Sequence, residues 1–170
     1  RIFKYPKNLV RYKSNNFLPF ASKIKVLKKY KNFIMFDKNK WLHINDIKKD
    51  NYQERNFIKI LKLFINCKYK WGGKTFSGID CSGLLQIFFQ FNNKFVPRDT
   101  KDQIKFFNKK KFLNKNRLIF WKGNIAICIN KNSLIHAYGP KKKVLIMNIK
   151  KTINEIRQNA NLEVITKYKN

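Results

Sequence analysis

The stretch KYKWGGKTFSGIDCSGLLQIFFQF, Lys68 to Phe91, decides how this chain is read. Asp80 carries the side chain of a helix N-cap. Cys81 follows it at the position where first-turn amides and the helix dipole stabilise a thiolate. The spacing therefore predicts a nucleophilic Cys81 with a lowered pKa. Gly72 and Gly73 allow a tight turn and a close approach of backbone to a substrate. Beyond the cysteine, Leu84, Leu85, Ile87, Phe88, Phe89 and Phe91 cover most of a helix circumference, which predicts a deeply buried helix.

Outward from this stretch the pattern is α+β. Upstream, Phe57, Ile60, Leu61 and Phe64 fall at i, i+3, i+4 and i+7, an amphipathic helix. Downstream, Pro97-Arg98-Asp99-Thr100 reads as a loop into a short helix near Gln103 to Phe107. Strand-like runs follow at Leu118–Trp121, Ile125–Ile129, Leu134–Ala137 and Val144–Ile149. A short helix over Ile153–Ala160 and a last strand over Leu162–Tyr168 close the chain. Helices first and an antiparallel sheet afterwards indicate an α+β domain. Before it, Ile24–Leu27, Phe33–Phe36 and Trp41–Ile44, with a turn at Asp37–Lys40, suggest a small all-β barrel. The polar segment Asp46–Arg55 is read as the linker, giving residues 1–48 and 49–170 as the two domains.

Composition narrows the function. The 170 residues hold 44% hydrophobic side chains and sixteen Phe, enough for a real core. No window of eighteen apolar residues is free of charge, so no membrane span is expected. Thirty-nine basic against nine acidic residues give a net charge of +30. This is either an anionic partner or compositional drift, since Lys runs along the whole chain rather than in one patch. The aromatics read as core rather than as a stacking platform, so nucleic acid is not expected as a partner. Three cysteines make no disulfide framework, and Cys67 and Cys128 lie in apolar contexts typical of core thiols. No Cys/His cluster suggests a metal, and no cofactor is expected. A chain that starts at Arg1 reads as a fragment or a processed form.

Four motifs now stand in order: Tyr69-Lys70-Trp71-Gly72-Gly73, Gly78-Ile79-Asp80-Cys81-Ser82-Gly83, Pro97-Arg98-Asp99-Thr100 and Leu134-Ile135-His136-Ala137. Together they resemble the NlpC-type cell-wall cysteine peptidases from about Phe57 to Tyr168. Residues from Leu18 to Ile44 resemble the bacterial Src-homology-3-like domain that precedes some members. The resemblance implies a papain-like fold and hydrolysis of peptidoglycan stem peptides or muropeptides between γ-D-glutamate and diaminopimelate or lysine. It implies Cys81 as the nucleophile. It implies a substrate site lined by Tyr69, Asp80, Ser82, Arg98 and Thr100, with the Asp recognising a free amino terminus. Such members work in the envelope and in cytoplasmic recycling of wall peptides.

One position departs from the pattern. The family's base is a histidine opening a strand, with an orienting polar residue twelve positions on. Here Gly123-Asn124-Ile125-Ala126-Ile127 puts Asn124 at the base position, and His136 stands at the orienting one. An amide side chain does not titrate, so it can neither take the thiol proton nor supply one to the leaving amine. Two functions stay open on the residues: a cysteine peptidase in which His136 serves as base, or a weak or inactive enzyme that still binds stem peptides.

Overall fold

The computed structural model describes residues 3–4, 12–13, 17–109 and 118–165. The chain divides into two compact units, Arg1–Gln53 and Glu54–Asn170.

In the first unit β1 (Phe3–Lys4), β2 (Tyr12–Lys13), β3 (Lys28–Tyr30), β4 (Phe33–Asp37) and β5 (Lys40–His43) form one antiparallel sheet, in the order β2-β1-β5-β4-β3. Ile34 and Leu42 face each other across β4 and β5 and are both buried. The β4–β5 turn forms where the sequence places it. Asn39 adopts a left-handed φ of 56°, and the Asp37 carboxylate accepts the Lys38 N–H at 2.7 Å. The strand expected over Ile24–Leu27 is instead β3, starting at Lys28. Its position is set by the tight Lys31-Asn32 turn, which pairs Tyr30 with Phe33. The apolar run before it contributes a single ladder bond, from Leu27 N–H to the Met35 carbonyl at 2.8 Å.

The second unit opens with α1 (Phe57–Lys62), capped by Asn56, whose side chain accepts the Lys59 N–H at 3.3 Å. A short hairpin, β6 (Lys74–Thr75) and β7 (Gly78–Ile79), delivers the chain to α2 (Cys81–Phe91). Then come α3 (Thr100–Lys109), β8 (Leu118–Trp121), β9 (Asn124–Cys128), β10 (Ser133–Tyr138), β11 (Lys143–Asn148) and α4 (Ile149–Ala160). The last four strands form an antiparallel meander, β11-β10-β9-β8.

This sheet is covered on both faces, since all of β8 and all of Leu134–Tyr138 are buried. One face gathers Ile119, Trp121, Ala126, Cys128, Leu134 and Tyr138 around Ile156 of α4. Helix α2, which opens with Cys81, packs against β9 and β10, and α1 packs against α2. Leu84, Leu85, Ile87 and Phe89 are all buried, each contributing about 2 kcal/mol of transfer free energy. Cys67 and Cys128 are buried and form no disulfide with each other.

Two boundaries move and one strand is absent. Helix α3 runs from Thr100 to Lys109, longer than the Gln103–Phe107 segment the sequence suggests. Helix α4 starts at Ile149 rather than Ile153, because the Asn148 side chain caps it by accepting the Lys151 N–H at 3.1 Å. The last strand does not form over residues 162–165. Among residues 162–165 one backbone bond to the sheet forms, from Ile165 N–H to the Phe120 carbonyl (2.8 Å), and one bond makes no ladder. Residues 166–168 of that expected strand lie outside the described residues.

Gly83 sits where α2 crosses the Trp-Gly-Gly loop. A Cβ there would stand 2.6 Å from the Gly73 carbonyl oxygen, a backbone atom that cannot swing aside. Gly83→Ala is expected to destabilise the second unit by about 2 kcal/mol or more, as overpacking does. Urea unfolding of the variant beside the native chain checks this, and equal midpoints would refute it.

Candidate active site

Asp80 joins the two halves of the site. Its backbone is extended, and as N-cap of α2 its Oδ1 accepts the Gly83 N–H at 2.7 Å. Oδ1 also accepts the Ser82 hydroxyl at 3.3 Å. Oδ2 accepts the Gly72 N–H at 2.8 Å and Arg98 Nη2 at 2.6 Å. Gly72 reaches its position with φ at +73°, a conformation that favours glycine. Arg98 continues the network, donating from Nη1 to Ser82 Oγ at 2.7 Å and from Nη2 to the Gly73 carbonyl at 3.4 Å. Four donors occupy the four lone-pair positions of one buried carboxylate, so its charge is fully compensated. Arg98 keeps 27% of its side chain exposed against 6% for Asp80, so the accessible charge here is the cation.

Cys81 opens α2 as expected, but its protonation is not the expected one. The thiol is 3% exposed, and burial pushes its pKa up. The backbone amides of Ile125, Ser82 and Cys81 favour the thiolate, and Asp80 opposes it. Desolvation exceeds what the helix terminus returns. The resting group is a neutral thiol that donates to Asn124 Oδ1 at 3.8 Å, a long contact even for sulfur.

His136 is not hydrogen-bonded to that pair. It is fully buried on β10, with its ring stacked on Trp121 (centroids 6.1 Å apart, 9° between planes) and tilted against Tyr138 at 5.0 Å. Neither Nδ1 nor Nε2 has a hydrogen-bond partner, and Trp121 Nε1 lacks one too. Burial lowers the His136 pKa to about 4, so the imidazole is neutral at pH 7. The pairing of Ile127 with Ile135 and of Cys128 with Leu134 sets His136 diagonally from Asn124 on the same face of the sheet.

The other expected residues are placed more loosely. Tyr69 is half-buried and pairs with Ile79, and its ring packs beside Gly139. Burial raises its pKa first, Asp80 adds to this and Arg98 opposes it, so its hydroxyl is neutral. Thr100 is buried at the first residue of α3, two positions beyond Arg98. Trp121, Tyr138 and Gln103 also shape the site, and none stands out in the sequence. The two aromatics read as ordinary strand residues, and Gln103 as one more polar residue of a polar helix.

Compared with known proteins, residues 66–162 match the NlpC/P60 family. Dipeptidyl-peptidase 6 of Lysinibacillus sphaericus is 29% identical over an alignment of 108 residues that covers 59% of this chain and 39% of that enzyme. The chain therefore spans well under half the length of this relative. An NlpC/P60 family protein from Bacillus cereus ATCC 10987 superposes with a TM-score of 0.66 at 19% identity, covering 98% of this chain and 59% of that one. NlpC2 from Trichomonas vaginalis gives 0.52 at 15% identity, covering 97% and 68%. The fold is the papain-like α+β arrangement, a cysteine-bearing helix on an antiparallel sheet.

Burial of a neutral His136 makes stability depend on pH. Its pKa is about 4 when folded and about 6.5 when unfolded. The unfolded chain therefore binds the extra proton first, and stability present above pH 6.5 is lost as pH falls towards 4. The second unit is expected to be about 2 kcal/mol less stable at pH 5 than at pH 7. His136→Phe, which keeps a ring between Trp121 and Tyr138, removes most of that difference. Urea unfolding of both chains at the two pH values measures it, and an equal slope in the Phe variant would exclude His136 as the cause.

Proposed function

Since the chain belongs to the NlpC/P60 family, we propose that its second unit binds peptidoglycan stem peptides and hydrolyses them slowly through Cys81. The observation that carries this reading is the neutral Cys81 thiol held against Asn124 beside the Asp80–Ser82–Arg98 network. In this mechanism the Cys81 sulfur attacks the carbonyl carbon of the γ-D-glutamyl bond. The C–N bond breaks, and water then hydrolyses the thioester. Sulfur must lose a proton and the leaving amine must gain one. Asn124 does neither, and His136, neutral with its nitrogens unpartnered, is a poor base where it stands.

Resemblance assigns Asp80 to a free amino terminus, and the geometry supports a different division of labour. With its lone pairs taken, Asp80 holds Arg98, and Arg98 presents the exposed charge. We assign Arg98 to a stem carboxylate, Ser82 to orienting the guanidinium, and Tyr69 and Thr100 to the cleft wall. We assign residues 1–48, within the first unit, as a Src-homology-3-like module. Its support is the resemblance together with a five-stranded antiparallel sheet.

Hydrolysis of L-Ala-γ-D-Glu-diaminopimelate tests the reading. The native chain is expected to turn over slowly, Cys81→Ala not at all, and Asn124→His about 10²-fold or more faster than the native chain. Product release that survives in Cys81→Ala, or a native rate equal to that of Asn124→His, would refute it.

A further inference from the structure

Gln103 is fully buried on α3 and makes two hydrogen bonds that join separate parts of the site. Its Nε2 donates to the Ser82 carbonyl at 3.1 Å and to the Pro97 carbonyl at 2.9 Å. Carbonyls only accept, so the amide nitrogen must face them, and the orientation of the group is fixed. Both N–H bonds are used, while Oε1 is buried without a partner. An apolar side chain would spare the buried Oε1 but take the Nε2 donor from the Pro97 and Ser82 carbonyls, so the glutamine is explained by what its Nε2 joins rather than by packing.

The two acceptors lie on opposite sides of one ion pair. Ser82 is the second residue of α2, next to Cys81, and its hydroxyl accepts from Arg98. Pro97 is the residue before Arg98. One amide thus sets the distance between the start of the nucleophile helix and the loop that carries the guanidinium. Side-chain bonds from Arg98 to Asp80, Ser82 and Gly73 hold the head of that residue. Gln103 holds its backbone.

We propose that Gln103 is a positioning residue that aims Arg98, and thereby makes the site select stem peptides with a free glutamate α-carboxylate over those in which it is amidated. The inference rests on the stem-peptide reading and on the assignment of Arg98 to a carboxylate.

The full chain carrying Cys81→Ala allows binding to be measured without turnover. Two probes are titrated by calorimetry: L-Ala-γ-D-Glu-diaminopimelate and the same peptide with the D-Glu α-carboxylate amidated. With Gln103 in place the free-acid peptide is expected to bind about tenfold tighter. Gln103→Met keeps the length and loses both donors. It is expected to bind the free acid about tenfold more weakly and the amidated peptide unchanged, which abolishes the preference. Gln103→Glu adds a readout that a merely structural role does not move. Ionised, it has no donor; protonated, it has one, and burial raises its pKa towards neutrality. Its preference for the free acid is expected to return in part as pH falls from 7.5 to 6.

Equal weakening of both peptides in Gln103→Met, or no weakening, overturns the inference. If Gln103→Met fails to fold, Gln103→Glu decides, and a preference that stays flat with pH overturns it. If neither peptide binds the chain with Gln103 intact, the stem-peptide reading itself fails. If both bind equally there, the assignment of Arg98 fails and the inference with it.

Discussion

The site depends on keeping one ionised carboxylate, that of Asp80, almost out of water. Removing a carboxylate from water costs several kcal/mol unless its charge is matched and its lone pairs are filled. Here every oxygen position is used, by Gly83 N–H, Ser82 O–H, Gly72 N–H and Arg98. Each donor belongs to a different structural task. Gly83 starts the helix, Gly72 closes the Trp-Gly-Gly loop, and Arg98 brings in the segment before α3. Loss of any one leaves the other three facing a partly unsatisfied buried charge, so helix start, loop and cation form together. Four other ion pairs join described residues, and each has at least one partner that is largely exposed, where pairing contributes little. In a chain of net charge +30, the one pair with a buried carboxylate among the described residues is the one beside the thiol.

The same burial that organises the site suppresses its chemistry. Helix-terminal cysteines become nucleophiles when amides and cations outweigh desolvation. At Cys81 the compensating amides are present, but the nearest full charge is negative, and the sulfur is shut away from water. At His136 burial acts in the opposite sense on a base and again favours the neutral form. Thiol and imidazole are thus each neutral. Moving a proton from one to the other would create two buried charges without a hydrogen bond between them. On the proposed mechanism, turnover needs a group that touches the sulfur and also titrates, and Asn124, which touches it, carries an amide.

Local patterns were legible in the sequence, and long-range consequences were not. The Asp80 cap, the buried α2 and the four strand runs of the antiparallel sheet all follow from residues within one helical turn or from strand-length apolar runs. The Asn39 turn was readable for the same reason. Strand β3 was misplaced because Lys31 carries no turn signature, yet its φ of 47° closes the hairpin. The C-terminal Leu162–Tyr168 run has strand composition, but within 162–165 it finds one bonding partner on β8, and a strand needs a ladder. The thiol pKa was read in the wrong direction because helix position is local information and burial is not. The depth of Cys81 is set by β9 and β10, more than forty residues away in sequence.

Asn124 is more than the absence of a base. A histidine at this position would accept from the thiol through a nitrogen that can keep the proton. The amide oxygen accepts from the same thiol and cannot keep it. The contact from Cys81 Sγ to Asn124 Oδ1 therefore favours the protonated sulfur, in the same direction as burial. The carboxylate network is saturated, the guanidinium is partly open to solvent, and the helix start is capped. On the proposed function, binding groups that are complete beside a thiol held protonated separate recognition from turnover. The substitution that separates them lies at the first residue of β9, where a side chain can change without disturbing the Ile125–Cys128 core behind it.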